Sequence, residues 1–498
     1  MSGKIRKMIA HNSFTAQPAA ITRERMGTPL AIAVMAVPLT LWAASLPGRE
    51  GSGGESLLIV ASLVPLGLLA AWLLPPIVPL ILTLIFLESP MPALLDNRPS
   101  AYVTTGLIGW TVLASFISIS RPREPVAHPL LGKVWFLAVY GVVSALWGLR
   151  SGNPAEYVVG DLFQIEEFAL VFILVARLVV DQKTLRRLLI CSFASTLFTA
   201  MWQLGCAIGP DSSQSLPMLE SIGASEALPR TINLNAIFVL LVLLSIYPVL
   251  KLARQRLWIW VLLVPTVANL LLSFTRGIWL AALAAMAVGV GLLKRDERRG
   301  LLKTIAIITA CLVIAATLWK TGRGAGSSNL LDAVEERIAY GVTQVDEGLE
   351  GNVAVQTRRF VELTTIAPQI LSSPLLGKGL GGMYWIEAIA FVKAEDLGTI
   401  DFHYMHNLYL LVGFRMGLIG LLTFGWVLYS YFREGLRACA RMSNALARAL
   451  TAGLIAGVAG QVILSLTSPT ILNHPTAGLT ACVMALTFKL PNSGVSKS

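Results

Sequence analysis

Two histidines, His403 and His406, stand three residues apart in DFHYMHNLYLLVGFRMGLIG, where a polar segment gives way to an apolar run. The chain has only five histidines in 498 residues. An imidazole takes a proton from a hydroxyl near neutral pH, so a histidine at such a junction suits general-base work beside a lipid-borne substrate. The same placement fits interfacial packing or helix capping. It also fits a metal pair, but no ligand-type set of histidines and carboxylates accompanies it, so no metal is expected.

Arg276, in SFTRGIWLAALAA, lies where two apolar runs almost touch. A helical hairpin needs no arginine there; the charge either snorkels to the interface or meets an anion. Arg230 precedes another apolar run in ALPRTINLNAIF, with Asn233 and Asn235 just inside. A guanidinium's planar fork matches phosphate through two parallel charge-assisted hydrogen bonds, so two forks from neighbouring helices would clamp a diphosphate. The competing use is a loop contact for Arg230 and N-terminal helix caps for the asparagines. Arg358 and Arg359 open an amphipathic stretch ahead of PLLGKG and either reach that mouth or lie on a solvated face. Asp161, Glu166 and Glu167 in GDLFQIEEFAL are carboxylates at the edge of an apolar run. Inside a membrane such groups are functional candidates or arginine partners.

The elements that position these residues follow from composition: 55% hydrophobic residues, 13% charged residues and a mean hydropathy of +0.70. That is too apolar for a soluble chain of this length. Apolar runs have the length a helix needs to cross the bilayer, and barrel-type alternation is absent. The expected fold is an all-α polytopic membrane protein of about fourteen transmembrane helices. Spans are expected near residues 29–47, 56–75, 76–88, 101–120, 129–149, 164–180, 187–208, 231–250, 257–274, 276–293, 301–319, 406–430, 446–470 and 474–488. The third, after Pro75 and Pro76, reads as a half-helix or part of a broken pair. The first apolar stretch has no convincing cleavage site and reads as a retained span.

Basic residues sort onto one side of this layout. Arg121 and Arg123, Lys183 to Arg187, Lys251 to Arg256, Lys294 to Arg299 and Arg433 to Arg448 fall on the side of the N-terminus; Arg49, Arg98, Arg150, Arg230 and Arg276 stand singly on the other. Both termini are therefore expected in the cytoplasm, and the net charge of +11 has a topological explanation that requires no nucleic acid. The organisation expected is a tail at 1–28, eleven spans within 29–319, an outward segment at 320–405, three spans within 406–489 and a tail at 490–498. The outward segment is too long for a connector and reads as a largely helical cap: LLDAVEERIAYGV, then TRRFVELTTIAPQIL interrupted near Pro368, then the glycine-rich turn SSPLLGKGLGGMYW. The five cysteines have no paired spacing and suggest neither disulfides nor zinc.

SFTRG at a hairpin, an outward arginine ahead of PLLGKGLG, and HNLYLLVGFRMGLIG opening the next span together resemble the O-antigen ligase and O-antigen polymerase superfamily, with PRTINLNA upstream. These are bacterial inner-membrane glycosyltransferases. The resemblance covers roughly residues 225–430. It implies a GT-C-like architecture, an undecaprenyl-diphosphate-linked glycan donor, and a lipid A core or glycan acceptor at the periplasmic face. It further implies an inverting displacement without metal or other cofactor. Position by position, Arg230 and Arg276 match the arginines that hold the diphosphate, Arg359 the loop arginine, and His406 the histidine of the HN motif; His403 is a second histidine in that window, and Asn233, Asn235 and Asn407 are supporting candidates. Leu363 stands where the family usually has an aromatic residue.

Two other classes fit parts of the sequence. A transporter or flippase for a lipid-linked glycan would want basic residues, but also polar groups at the midplane and broken helices. A non-catalytic component of a polysaccharide export complex would not need His406. The sidedness is open to a direct check. Single cysteines placed between residues 320 and 404 are expected to react with an impermeant maleimide in intact cells whose outer membrane is permeabilised; protection there would invert the topology.

Overall fold

A computed structural model describes residues 78, 80–82, 107–109, 111, 128–179, 182–208, 236–250, 252–271, 273, 275–322, 353–386, 400–403, 405–473 and 476–489. All of them fall in one unit, formed by residues 76–112 and 122–498. Most of the first four expected spans, the first cap helix, Arg230, Asn233, Asn235 and both tails lie outside the described residues.

The helices are α1 (Leu131–Arg150), α2 (Ala155–Leu178), α3 (Gln182–Ile208), α4 (Ala236–Ile246), α5 (Ala253–Leu271), α6 (Arg276–Leu292), α7 (Arg295–Gly322), α8 (Val353–Leu371), α9 (Leu408–Arg441), α10 (Ala445–Leu464) and α11 (Thr476–Thr487). A two-stranded antiparallel ribbon, β1 (Tyr384–Ile386) and β2 (Ile400–Phe402), pairs Tyr384 with Phe402. Among the described residues α1, α9 and α10 are long and apolar enough to cross a membrane, and further apolar helices are shorter. Helix α1 buries Val134, Leu137 and Ala145 while exposing Trp135, Phe136, Val139 and Val143. That is the pattern of a span with one face on protein and the other on apolar surroundings.

Small residues set the centre of the bundle. Gly453, Gly457 and Gly460 share one face of α10, where a Cβ would run into Val242, Phe238 and Ile237 of α4, and at Gly460 into Ala285 of α6 as well. Without side chains there, α4 and α6 approach the α10 backbone closely, as small-residue stripes allow in membranes. Helix α2 packs between α1 and α11, where Gly478 donates its N–H to Glu167 at 3.2 Å. At the opposite end from the site described below, Arg448 at the start of α10 pairs with Glu297 at the start of α7.

Two expectations about regularity need correction. Pro368 does not interrupt the cap helix: α8 runs through it to Leu371, because a proline in the last turn removes a single backbone donor close to where the helix ends anyway. The span expected at 406–430 is broken at Gly417, where φ is 65° and ψ is −166°. The break strands peptide groups that water cannot reach, and the glycine-rich loop after α8 receives them. Lys378 and Gly379 donate N–H to the carbonyls of Phe414 and Arg415 at 2.8 and 2.9 Å, while Leu418 and Ile419 donate to the carbonyls of Pro374 and Leu375 at 2.8 and 3.3 Å. Tyr140 and Ser144 of α1 donate hydroxyls to Met416 and Arg415. Irregular backbone at this depth is tolerated only where protein supplies such partners.

The loop can enter because its glycines adopt left-handed backbone: φ is 70°, 84° and 75° at Gly377, Gly379 and Gly381. A Cβ on Gly379 would collide with the backbone of Gly148 in α1. Gly379→Ala is therefore expected to destabilise the protein by at least about 1–3 kcal/mol, read as a lowered Tm of the purified protein, whereas Gly425→Ala, with open space around its Cβ, leaves Tm unchanged.

Candidate functional site

At the end of the bundle that carries the glycine loop, two histidines each lie beside a carboxylate from a different helix. β2 leads directly into His403, whose ring stacks on Tyr157 of α2 with centroids 4.3 Å apart and planes 22° from parallel. Its Nε2 lies 3.4 Å from Asp161 Oδ1. Asp161 is buried and committed elsewhere: Oδ1 accepts from Arg415 Nη1 at 2.6 Å and Oδ2 from the Gly381 N–H at 2.7 Å. Arg415, two turns into α9, donates a second bond from Nη2 to the carbonyl of His403 at 2.5 Å. One ion pair thus ties together α2, α9, the glycine loop and the histidine segment. A guanidinium and carboxylate both buried on separate helices are favourable only as a matched pair.

Three residues further on, a different carboxylate takes over. The backbone N–H of His406 donates to Glu362 Oε1 at 2.8 Å, and its ring Nδ1 lies 3.0 Å from Glu362 Oε2. Glu362 sits on α8 and is buried, whereas the imidazole of His406 is 35% exposed. A small apolar cluster of Ile366, Tyr384, Met405 and Phe414 fixes α8, β1 and α9 around this pair. With Nδ1–H donated to the carboxylate, the basic lone pair of the ring belongs to Nε2, on the side of the ring away from Glu362. This is the orientation a general base requires, with a buried anion behind the ring to stabilise the imidazolium that forms.

Arg276 opens α6, and its neighbour Gly277 packs on the turn after α10: a Cβ on Gly277 would lie 2.7 Å from Thr467 Oγ1. That same turn accepts the N–H of Leu408 on the Ser465 carbonyl at 2.9 Å. The α6 N-terminus and the His406 segment are therefore anchored to one turn, and a helix N-terminus is itself a favourable place for an anion. Arg359 lies one turn before Glu362 on α8, on the same helix face by spacing. Asn407 caps α9, its side-chain oxygen accepting from Tyr409 and Leu410 at 2.9 and 3.1 Å. Arg230, Asn233 and Asn235 are outside the described residues. No group of three metal-ligating side chains occurs among the described residues.

Sequence reading missed Glu362, Arg415 and Tyr157. Arg415 carried a usable signal, an arginine inside an apolar run. Glu362 carried none, since a glutamate on an amphipathic helix reads as solvated surface until the fold buries it.

Residues 261–425 match the family model described as O-antigen ligase. The match runs from α5 to the middle of α9 and contains Arg276, Arg359, Glu362, both site histidines and Arg415; Asp161 lies outside it. No curated protein matches the chain. Over those residues the chain is similar to O-antigen ligases, and the apolar helices α1, α9 and α10 are of membrane-crossing length.

Removing either member of the Asp161–Arg415 pair leaves a buried charge unpaired. Asp161→Ala and Arg415→Ala are each expected to cost about 3–5 kcal/mol, seen as a large drop in Tm or loss of folded protein. The double variant Asp161→Leu/Arg415→Met is expected to recover most of that stability, and failure to do so would show that the pair is not the strut of this site.

Proposed function

We infer that this chain, which is similar to O-antigen ligases over residues 261–425, transfers a glycan from an undecaprenyl-diphosphate carrier to an acceptor hydroxyl at the periplasmic face of the bacterial inner membrane. The acceptor is lipid A core in a ligase, or another glycan in a polymerase. The observation that carries the mechanism is the buried Glu362 behind the accessible ring of His406.

The acceptor hydroxyl gives its proton to Nε2 of His406 as its oxygen bonds to the anomeric carbon of the donor sugar. The bond from that carbon to the diphosphate oxygen breaks, its electron pair leaving with the diphosphate, and configuration inverts. Glu362 offsets the positive charge on the imidazolium. Arg276 and Arg230 offset the negative charge that grows on the departing diphosphate, aided by the α6 N-terminus. Arg359, one turn before Glu362 along α8, would meet the donor from the cap side. The step needs no metal or other cofactor: diphosphate is already a good leaving group, and fixed cations beside low-dielectric lipid supply the stabilisation a metal would otherwise give. Exclusion of water by the cap protects the donor from hydrolysis.

The break in α9 is a feature a transporter for the same lipid would also have. Here the chain's own glycine loop fills the break, so it lines no passage, which favours the enzyme.

The test is reconstitution in nanodiscs with an undecaprenyl-diphosphate glycan and lipid A core or glycan acceptors. His406→Ala is expected to lower transfer about 10²–10⁴-fold. Arg276→Ala and Arg230→Ala are each expected to lower it about 10²–10³-fold, with lysine restoring little because it lacks the bidentate fork. Chelator leaves the wild-type rate intact. Full activity in all three alanine variants would sink the mechanism.

A further inference from the structure

The glycine loop has a second face, turned from the histidines towards the end of α1. Helix α1 ends in a tight Schellman turn: Gly152, with φ of 84°, donates to Leu149, and Asn153 to Gly148. The turn delivers Asn153, whose side-chain NH2 donates to the carbonyls of Lys378 and Leu380, both at 2.9 Å. The indole N–H of Trp147 donates to the Gly377 carbonyl at 3.2 Å. Between these elements lies a hollow of about 290 Å³ lined by Trp147, Ser151, Asn153, Ser373 and Lys378. That is close to the lower size of small-ligand sites.

Some of the polar groups around this hollow are not used by the fold. Among the described residues, the Lys378 ammonium has no carboxylate partner, and the hydroxyls of Ser151 and Ser373 make no hydrogen bond. Asn153 engages only its NH2, leaving the amide oxygen as an acceptor. Arg150, one turn beyond Trp147, lines a separate, apolar hollow and takes no part in this one. A cation, two hydroxyls, an amide oxygen and an indole therefore line one hollow where the backbone is immobilised. An indole face suits the C–H face of a sugar ring, hydroxyls and an amide suit its hydroxyls, and the ammonium suits an anion.

We propose that this hollow binds a sugar bearing an anionic group, phosphate or carboxylate, with Lys378 on the charge and Trp147 on the ring. Resting on the transferase reading above, it is the acceptor-side subsite. The donor arginine Arg276 is on α6, which packs with α4 and α10, whereas the hollow is on α1, which packs with α2 and α9. The histidine segment lies between, touching α2 through Tyr157 and α10 through Leu408. Donor and acceptor sugars would thus approach the base from opposite flanks.

The test measures binding, so it stands apart from transfer. The full chain in nanodiscs of zwitterionic lipid is equilibrated with radiolabelled glucose 6-phosphate or glucose. The sugar phosphate is expected to bind at least about tenfold more tightly, an advantage that weakens with salt. Lys378→Gln is expected to abolish the advantage while His406→Ala leaves it intact. Equal binding of the two sugars, or an advantage that survives Lys378→Gln, would overturn the proposal. Loss of the signal when phosphatidylglycerol is added to the nanodisc would overturn it too, assigning the lysine to a lipid headgroup instead. If binding holds while His406→Ala retains full transfer, the mechanism fails and the subsite stands.

Discussion

A broken helix inside a membrane protein has to find partners for the peptide groups it leaves open, and the rest of this site follows from how α9 does so. At Gly417 the helix loses its regular hydrogen bonds, and the loop Pro374–Gly379 supplies both donors and acceptors in their place. That exchange fixes the loop against α9. Gly381 at its far end then reaches Asp161, and Asp161 holds Arg415 just before the break. The cost of an unsatisfied peptide group away from water is several kcal/mol, so loop, break and ion pair stand or fall together.

The two carboxylate–histidine contacts on one four-residue segment differ in kind. Asp161 is already engaged by a guanidinium and a peptide N–H, and it meets His403 at 3.4 Å without a hydrogen bond. Arg415 grips the carbonyl of that same residue, and Tyr157 covers its ring. His403 is thus the anchor of the segment. Glu362 instead directs both oxygens at His406, one to its backbone and one to its ring. The first contact sets where the segment lies, and the second sets how one ring points. A base held by a buried anion on a separate helix keeps its orientation without relying on the substrate.

Much of the bundle was legible because apolar length is a direct consequence of bilayer thickness. The start of α6 at Arg276 and the end of α1 at Arg150 fall within a residue of expectation, whereas α10 stops at Leu464, short of the expected 470, where it gives way to the irregular segment Ser465–Thr470 that anchors Leu408. The two candidate histidines stood out in the sequence because polar titratable residues at an apolar boundary are conspicuous. The partners were not. Glu362 acquires its meaning only from burial, Asp161 and Arg415 are 254 residues apart in the chain, and a single glycine in GFRMGLIG does not announce a break without the loop that fills it. Asn407, a site candidate by its neighbourhood, is used by the helix it begins.

The central claim is that His406, oriented by Glu362, takes the acceptor proton. Its most direct test is chemical rescue in single-turnover transfer from an undecaprenyl-diphosphate glycan, using His406→Gly in nanodiscs. The account predicts a rate depressed by at least about 10²-fold that rises in proportion to added imidazole, while Arg276→Ala does not respond. A His406→Gly rate equal to wild type, or equal stimulation of both variants by imidazole, would contradict it.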